Sequence, residues 1–159
     1  MSVESVRAFF RSKAPEITVL ESDKSSATVL LAAEAFGVKP EEIAKTLSLR
    51  VGERSFLVVT KGTARLDNKK AKAAFGGKPR MLSAEEVVDV TGHPVGGVCP
   101  FGLKTPMPIY CDISLQAFDE VVPAAGSINS AVRISPHRMA DIVAAEWVDV
   151  CQTQGDAAS

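Results

Sequence analysis

The chain has 159 residues, of which 46% are hydrophobic and 23% are charged, and its formal net charge is −1. This composition is ordinary for a globular domain and excludes a chain too polar to fold. No run approaches the roughly 18 apolar residues that a membrane span needs, and the N-terminus lacks the pattern of a secretory signal. The three cysteines have no Cys-x-x-Cys spacing, so we expect neither a disulfide framework nor a zinc knuckle. We expect the protein to work in the reducing cytoplasm.

The first half of the chain is expected to alternate helices and strands, because its apolar residues change between helical and strand spacing. The expected elements are a helix over 3–13, a strand over 17–20, a helix capped by Ser25 or Ser26 and ended by Gly37, a helical turn at 40–42, and a hairpin of strands over 46–51 and 55–60.

The second half shows the same mixture, with clear capping residues at several helix starts. The expected elements are a helix capped by Asp67 and ended by Gly76, a helix opened by a capping box at Ser83, a strand over 107–112, strands over 121–125 and 131–134, and a helix opened by Ser135 and Pro136. Residues 147–150 are expected to close the structured part. The prolines at the start of 107–112 favour an edge strand or an irregular beginning.

Intermixed helices, hairpins and crossovers predict a single α+β domain built on a mixed sheet. We expect residues 1–152 to form this domain. The small polar residues 153–159 are expected to be a flexible tail.

A basic segment at residues 61–80 contrasts with the nearly neutral chain. It carries seven lysines and arginines against one acid, a net +6, which leaves −7 for the rest of the chain. Such a block indicates a polyanionic partner, and a solvated helix face is the equal alternative.

A glycine-rich stretch at 95–102, the glycine loop, holds three glycines and a proline in eight residues. This composition favours a loop whose backbone follows a fixed and unusual path. Such a loop can direct peptide N–H groups at an oxygen, as phosphate cradles and oxyanion holes do, and a plain turn is the alternative.

Lys45 is the strongest single polar candidate, because it stands where a capped turn meets a well-patterned strand. A cation fixed there can stabilise charge that develops on a carbonyl or a phosphate. Cys99 is a candidate nucleophile with His93 nearby in sequence, or else a small apolar residue. His93 and His137 do not supply a three-ligand metal site, so no metal and no cofactor are expected.

Three motifs in order resemble the YbaK/prolyl-tRNA synthetase-associated domain family of trans-editing deacylases. Residues 42–47 (EIAKTL) resemble its helix-to-strand lysine motif, residues 96–102 (GGVCPFG) its Gly-x-x-x-Pro loop, and residues 124–127 (AAGS) its second glycine turn. The resemblance spans roughly residues 3–150. It implies an α+β fold with a mixed, largely antiparallel, partly barrel-like sheet flanked by helices.

The resemblance also implies hydrolysis of the ester that joins a wrong amino acid to tRNA, chiefly the tRNA for proline. A transient complex with prolyl-tRNA synthetase is a further expectation. It implies Lys45 as the catalytic residue. The implied substrate-binding residues are Thr28, Gly96, Gly97, Val98, Cys99, Pro100, Phe101, Gly126 and Ser127. The expected tRNA contacts in the basic segment are Lys61, Arg65, Lys69 and Lys70.

The amino acid that is removed stays open at this point. The cysteine-specific branch of the family has an arginine-glycine pair after its second glycine turn, where this chain has Ser127-Ile128-Asn129-Ser130. The alanine-specific branch has a histidine in this region, which this chain lacks. The candidate amino acids are serine, threonine, alanine, cysteine and 2-aminobutyrate. Two alternative functions stay open: a non-catalytic module that binds tRNA or a synthetase, and a thiol enzyme built on Cys99.

Overall fold

The computed structural model describes residues 2–153, so nearly all of the expected tail at 153–159 lies outside the described residues. The helices are α1 Ser2–Lys13, α2 Val29–Phe36, α3 Asn68–Phe75, α4 Ala84–Thr91 and α5 Pro136–Ile142, with 3-10 turns at Pro40–Glu42 and Ile113–Ala117. The strands are β1 Leu20–Glu21, β2 Ile43–Val51, β3 Arg54–Lys61, β4 Arg80–Met81, β5 Ile109–Asp112, β6 Val122–Pro123, β7 Ser130–Ala131 and β8 Glu146–Val148.

The predicted hairpin, β2 and β3, lies at the centre of a mixed sheet with the order β4-β2-β3-β5-β8. β2 pairs antiparallel with β3 and β4 and parallel with the short β6, while β5 and β8 add parallel strands on the other side. The predicted α+β class with a mixed sheet is therefore confirmed. The described strands leave the sheet open between β4 and β8 and form no closed barrel.

The capping residues explain where most helices begin. The predicted caps Asp67, Ser83 and Ser135 each accept a hydrogen bond from a backbone N–H in the first turn, as expected. The prediction for α2 is wrong, because Thr28 caps it through Oγ1, which accepts from the Leu31 N–H at 3.2 Å. Ser26 instead donates to the Ile128 carbonyl at 3.0 Å.

Several predicted strands are shorter or differently placed. The strand expected over 17–20 is reduced to Leu20–Glu21, which pairs with Ser130–Ala131. β5 is an interior strand between β3 and β8, so the edge interpretation is wrong. Its prolines only delay its start: the Pro108 carbonyl accepts from the Leu57 N–H at 3.0 Å, and regular pairing begins at Ile109.

The two faces of the hairpin bury different partners. Leu49, Phe56 and Val58 pack against Phe75 of α3 on one face. On the other face, Ala44 and Val59 belong to a larger core with α1 and the glycine loop. Among the described residues, no helix has the length and apolar character needed to cross a bilayer.

Candidate active site

A half-open pocket of about 240 Å³ lies between α2, the first half of β2 and the glycine loop. Its lining includes four of the predicted site residues, Thr28, Lys45, Gly96 and Val98. These residues come from three separate segments of the chain. Most of the remaining lining is aliphatic, which suits a small apolar or weakly polar group better than a charged one.

Lys45 is the third residue of β2 and lies opposite Thr60 in the hairpin. Its Nζ donates a hydrogen bond to the Ala64 carbonyl at 2.5 Å, so the half-buried ammonium is held in one place. Alternation along β2 puts Lys45 on the same face as Leu47 and Leu49. An ammonium has three N–H groups, and the bond to Ala64 uses one of them.

The electrostatic surroundings make Lys45 an unusual lysine. Burial lowers its pKa, Cys151 acts in the opposite direction, and the positive charge of Arg65 lowers the pKa further. A cation that has already lost part of its hydration interacts more strongly with an incoming negative charge than an exposed lysine does.

The glycine loop meets the start of α2 at Gly96. This residue has a φ of 92°, and a Cβ atom there would lie 2.9 Å from the Cβ of Ala27. A side chain is therefore excluded both by the backbone conformation and by the neighbouring chain. The contact fixes one wall of the pocket against the segment that ends in Thr28.

Gly97, Gly126 and Ser127 lie behind this wall and are not part of the pocket lining. The Gly126 N–H donates to the Gly97 carbonyl at 3.0 Å, which joins the second glycine turn to the loop. The Ser127 hydroxyl lies 2.9 Å from Asn129 Oδ1 and 2.6 Å from Ser130 Oγ. The structure thus gives these residues a supporting position beside the pocket.

Cys99, Pro100 and Phe101 are buried, and the structure does not place them in the pocket lining. Phe101 packs against Phe10 of α1 with ring centroids 4.6 Å apart. This aromatic contact anchors the loop in the core. Any direct contact of these three residues with a substrate stays a prediction.

The surroundings of Cys99 do not resemble those of an activated thiol. Burial raises the pKa of the Cys99 thiol to about 12, so the thiol is protonated near neutral pH. Its Sγ is 3.6 Å from His93 Nε2, but that nitrogen lies only 2.8 Å from the Phe101 carbonyl oxygen. His93 is thereby engaged with the loop backbone, which argues against a catalytic thiol–imidazole pair.

The predicted tRNA contacts separate into two kinds. Arg65 and Lys69 are exposed, and Arg65 is close enough to Lys45 to affect its pKa. Lys61 and Lys70 are half-buried. The Nζ of Lys70 lies 3.1 Å from Asp149 Oδ1 and 3.0 Å from the Cys151 carbonyl, so Lys70 joins α3 to the C-terminal segment.

Thr46 and Ser48 line the pocket and were not identified from the sequence. They alternate with Leu47 and Leu49 along β2 and therefore lie on the opposite face of the strand. A polar strand face is usually exposed to solvent. Here α2, α4 and the segment around Leu82 cover it, and only the three-dimensional structure reveals this cover.

The chain is similar to proteins connected with tRNA editing. Residues 23–142 match the family model of the aminoacyl-tRNA editing domain. The protein YwhH of Bacillus subtilis is 47% identical over 96% of this chain and 98% of its own length. EbsC of Enterococcus faecalis, provisionally named a Cys-tRNA(Pro)/Cys-tRNA(Cys) deacylase, is 28% identical over 74% of this chain and 73% of its own.

A solved structure shares the fold over nearly the whole chain. It is provisionally described as a trans-editing enzyme for prolyl-tRNA synthetase, and its sequence is 31% identical to this one. The two structures agree with a TM-score of 0.88 over 96% of this chain and 98% of the other.

Proposed function

This chain belongs to the aminoacyl-tRNA editing domain family and is an aminoacyl-tRNA deacylase. We propose that it acts in trans and that its substrate is tRNA-Pro that carries a wrong, small amino acid. The names of two relatives, which mention tRNA(Pro) and prolyl-tRNA synthetase, support this choice of tRNA. Reduced, buried cysteines fit an enzyme that works in the cytoplasm. A transient complex with prolyl-tRNA synthetase would deliver the mischarged product directly.

The observation that carries the proposal is the position of Lys45. Lys45 belongs to the lining of a pocket that also contains Thr28 and Gly96, and the Ala64 carbonyl fixes its half-buried ammonium. The esterified 3′ end would place its amino acid in this pocket. Arg65 lies near Lys45, and its exposed guanidinium is suited to a phosphate of the same tRNA end.

The chemistry requires little more than positioning and charge stabilisation, because an aminoacyl ester is already activated. A water molecule attacks the carbonyl carbon, and the Lys45 ammonium stabilises the negative charge that develops on the carbonyl oxygen. We propose that peptide N–H groups of the glycine loop donate to the same oxygen. The bond to the ribose oxygen then breaks, this oxygen takes a proton, and the amino acid and the free tRNA leave.

The experiment is a deacylation assay with tRNA-Pro charged separately with serine, threonine, alanine, cysteine and 2-aminobutyrate. The wild-type chain should hydrolyse at least one of these esters much faster than buffer does. Lys45→Ala should lower kcat/KM by about 10²–10³, the typical cost of losing one oxyanion donor.

Lys39→Ala is the matched control, because Lys39 is an exposed lysine in the turn that precedes β2 and is not part of the pocket lining. Its kcat/KM should equal that of the wild type. If Lys45→Ala were as active as Lys39→Ala, Lys45 would have no part in catalysis. Hydrolysis of the same amino acids from another tRNA at equal rates would contradict the assignment to tRNA-Pro.

A further inference from the structure

The pocket contains five hydroxyl side chains, and they differ in how well their hydrogen bonds are satisfied. Three have partners within the chain: Ser26 donates to the Ile128 carbonyl, Thr28 caps α2, and Ser130 binds Ser127. The other two are Thr46 Oγ1 and Ser48 Oγ. Both oxygens are buried, and neither has a hydrogen-bond partner among residues 2–153.

An unsatisfied buried hydroxyl destabilises a folded protein, because it has lost its bonds to water and gained nothing in return. Ser48 is only 3% exposed, so its hydroxyl gains no bonds to bulk water, and the smaller alanine would avoid the cost of the unsatisfied group. Two such hydroxyls, two residues apart on one strand face, lie in the lining of the same pocket. This arrangement is expected where an incoming ligand supplies the missing partner.

The geometry allows that partner to be reached. Thr46 and Ser48 project from the same face of β2, while Leu47 and Leu49 project from the other. Rotation about χ1 turns a serine or threonine hydroxyl without moving the strand. Among the described residues of the lining, Lys45 alone is charged, and apolar residues such as Ala44, Val87 and Val122 surround the two hydroxyls.

We propose that Thr46 and Ser48 are specificity-determining residues that select an amino acid with a β-hydroxyl group, serine or threonine, on the mischarged tRNA. The proposal rests on the proposed deacylase function and narrows its substrate. A site built to hydrogen-bond a substrate hydroxyl discriminates strongly against an analogue that lacks it, since the buried groups of the site are then left unpaired.

The first test compares substrates that differ by one group on the same tRNA. Seryl-, alanyl- and cysteinyl-tRNA-Pro form one series, and threonyl- and 2-aminobutyryl-tRNA-Pro form another. Each rate is divided by the spontaneous rate of the same ester. We expect kcat/KM for serine to exceed that for alanine by at least ~10-fold, with cysteine below serine because a thiol is a weak hydrogen-bonding group.

The second test uses Thr46→Val and Ser48→Ala, which remove the hydroxyls and change the shape of the pocket little. The serine-to-alanine ratio should fall in each variant and approach unity in the double variant, while hydrolysis of alanyl-tRNA persists. Both variants should melt at or above the wild-type temperature, because an unsatisfied group is removed. Ser130→Ala is the control for this readout, and it should melt lower because Ser130 has hydrogen-bond partners.

A binding measurement separates failure of this inference from failure of the proposed function. Non-hydrolysable 3′-amide analogues of seryl- and alanyl-adenosine are titrated into the wild-type chain and the double variant. If the wild type, but not the double variant, binds the seryl analogue more tightly than the alanyl analogue, the selection is supported even when no ester is hydrolysed. Absence of hydrolysis would defeat only the deacylase proposal. Equal binding of the two analogues, binding of neither, or a serine-to-alanine ratio unchanged in the double variant overturns the inference.

Discussion

Gly97 lies directly against the backbone of Ser127, at a distance that leaves no room for a side chain. A Cβ atom on residue 97 would be 2.7 Å from the Ser127 nitrogen and 2.9 Å from its Cα. The Gly97 carbonyl also accepts the Gly126 N–H, so the two glycine turns form one unit. The path of the glycine loop at the pocket therefore depends on a turn that is 30 residues away in the sequence.

We expect Gly97→Ala to reduce deacylation, because the new methyl group must displace the backbone at Ser127 and with it the adjacent loop. Overpacking of this kind costs about 1–3 kcal/mol in the free energy of unfolding. We expect kcat/KM to fall by more than ~10-fold, since small displacements of positioning groups are costly. Both quantities are measured, by denaturant unfolding and by single-turnover deacylation.

The control for this prediction is Gly52→Ala in the β2–β3 turn. Gly52 has a φ of 60° with open space around its Cα, so alanine there costs about 1–2 kcal/mol through backbone conformation alone. The two variants should lose similar stability, and only Gly97→Ala should lose activity. Equal activity in both would show that the contact with Ser127 does not position the loop.

Local patterns in the sequence predict most of the helices and strands. The alternation of Leu47, Leu49 and Val51 placed the hairpin, and hydroxyl and carboxylate caps such as Asp67 and Ser83 placed the helices, because these features depend on neighbouring residues. Sequence patterns misplaced the cap of α2, because Ser26 is bonded to the distant Ile128, and they left open whether β5 lies at an edge of the sheet.

The candidate site was only partly predictable for the same reason. Lys45, Thr28 and Gly96 line one pocket, while their catalytic and substrate-binding roles stay predictions. Cys99 and Phe101 lie in the same loop but contribute to the core, a distinction that spacing does not contain. Thr46 and Ser48 look like solvent-facing strand residues until the covering helices are known.

We expect Cys99→Ala to keep deacylase activity within about threefold of the wild type, because a thiol with a pKa raised to about 12 is protonated at neutral pH. Loss of the buried sulfur should lower the free energy of unfolding by about 1 kcal/mol. Rates at pH 7.5 and denaturant unfolding measure the two effects. A loss of activity beyond ~100-fold without a matching loss of stability would instead establish a thiol enzyme.

We expect Lys45 to lose its proton at a lower pH than the ordinary lysine value of 10.5, because burial and the nearby Arg65 both disfavour the charged form. Deacylation, corrected for the spontaneous rate, should then fall as the pH rises through this lowered pKa. NMR titration of 13C-labelled lysine side chains, with Lys45→Arg to assign the signal, measures the pKa directly.

Arg65→Gln tests the cause of this shift. It should raise the pKa of Lys45, since a neighbouring positive charge is removed. Arg11→Gln makes the same change in charge on an exposed residue of α1 and should leave the pKa of Lys45 unchanged. A Lys45 titration at or above 10.5 in the wild type would refute the prediction.

The exposed Lys69 and the half-buried Lys70 should respond differently to substitution by alanine. Lys69→Ala should weaken tRNA binding and make the negative slope of log K against log salt concentration shallower by ~1, as expected for one lost phosphate contact.

Lys70→Ala should lower the free energy of unfolding by about 1 kcal/mol, because it removes the bonds to Asp149 and the Cys151 carbonyl. Filter binding across a salt series and denaturant unfolding measure the two effects. Unchanged tRNA affinity and salt slope in Lys69→Ala would mean that α3 faces solvent in the complex and that the positive charge of the basic segment serves another purpose.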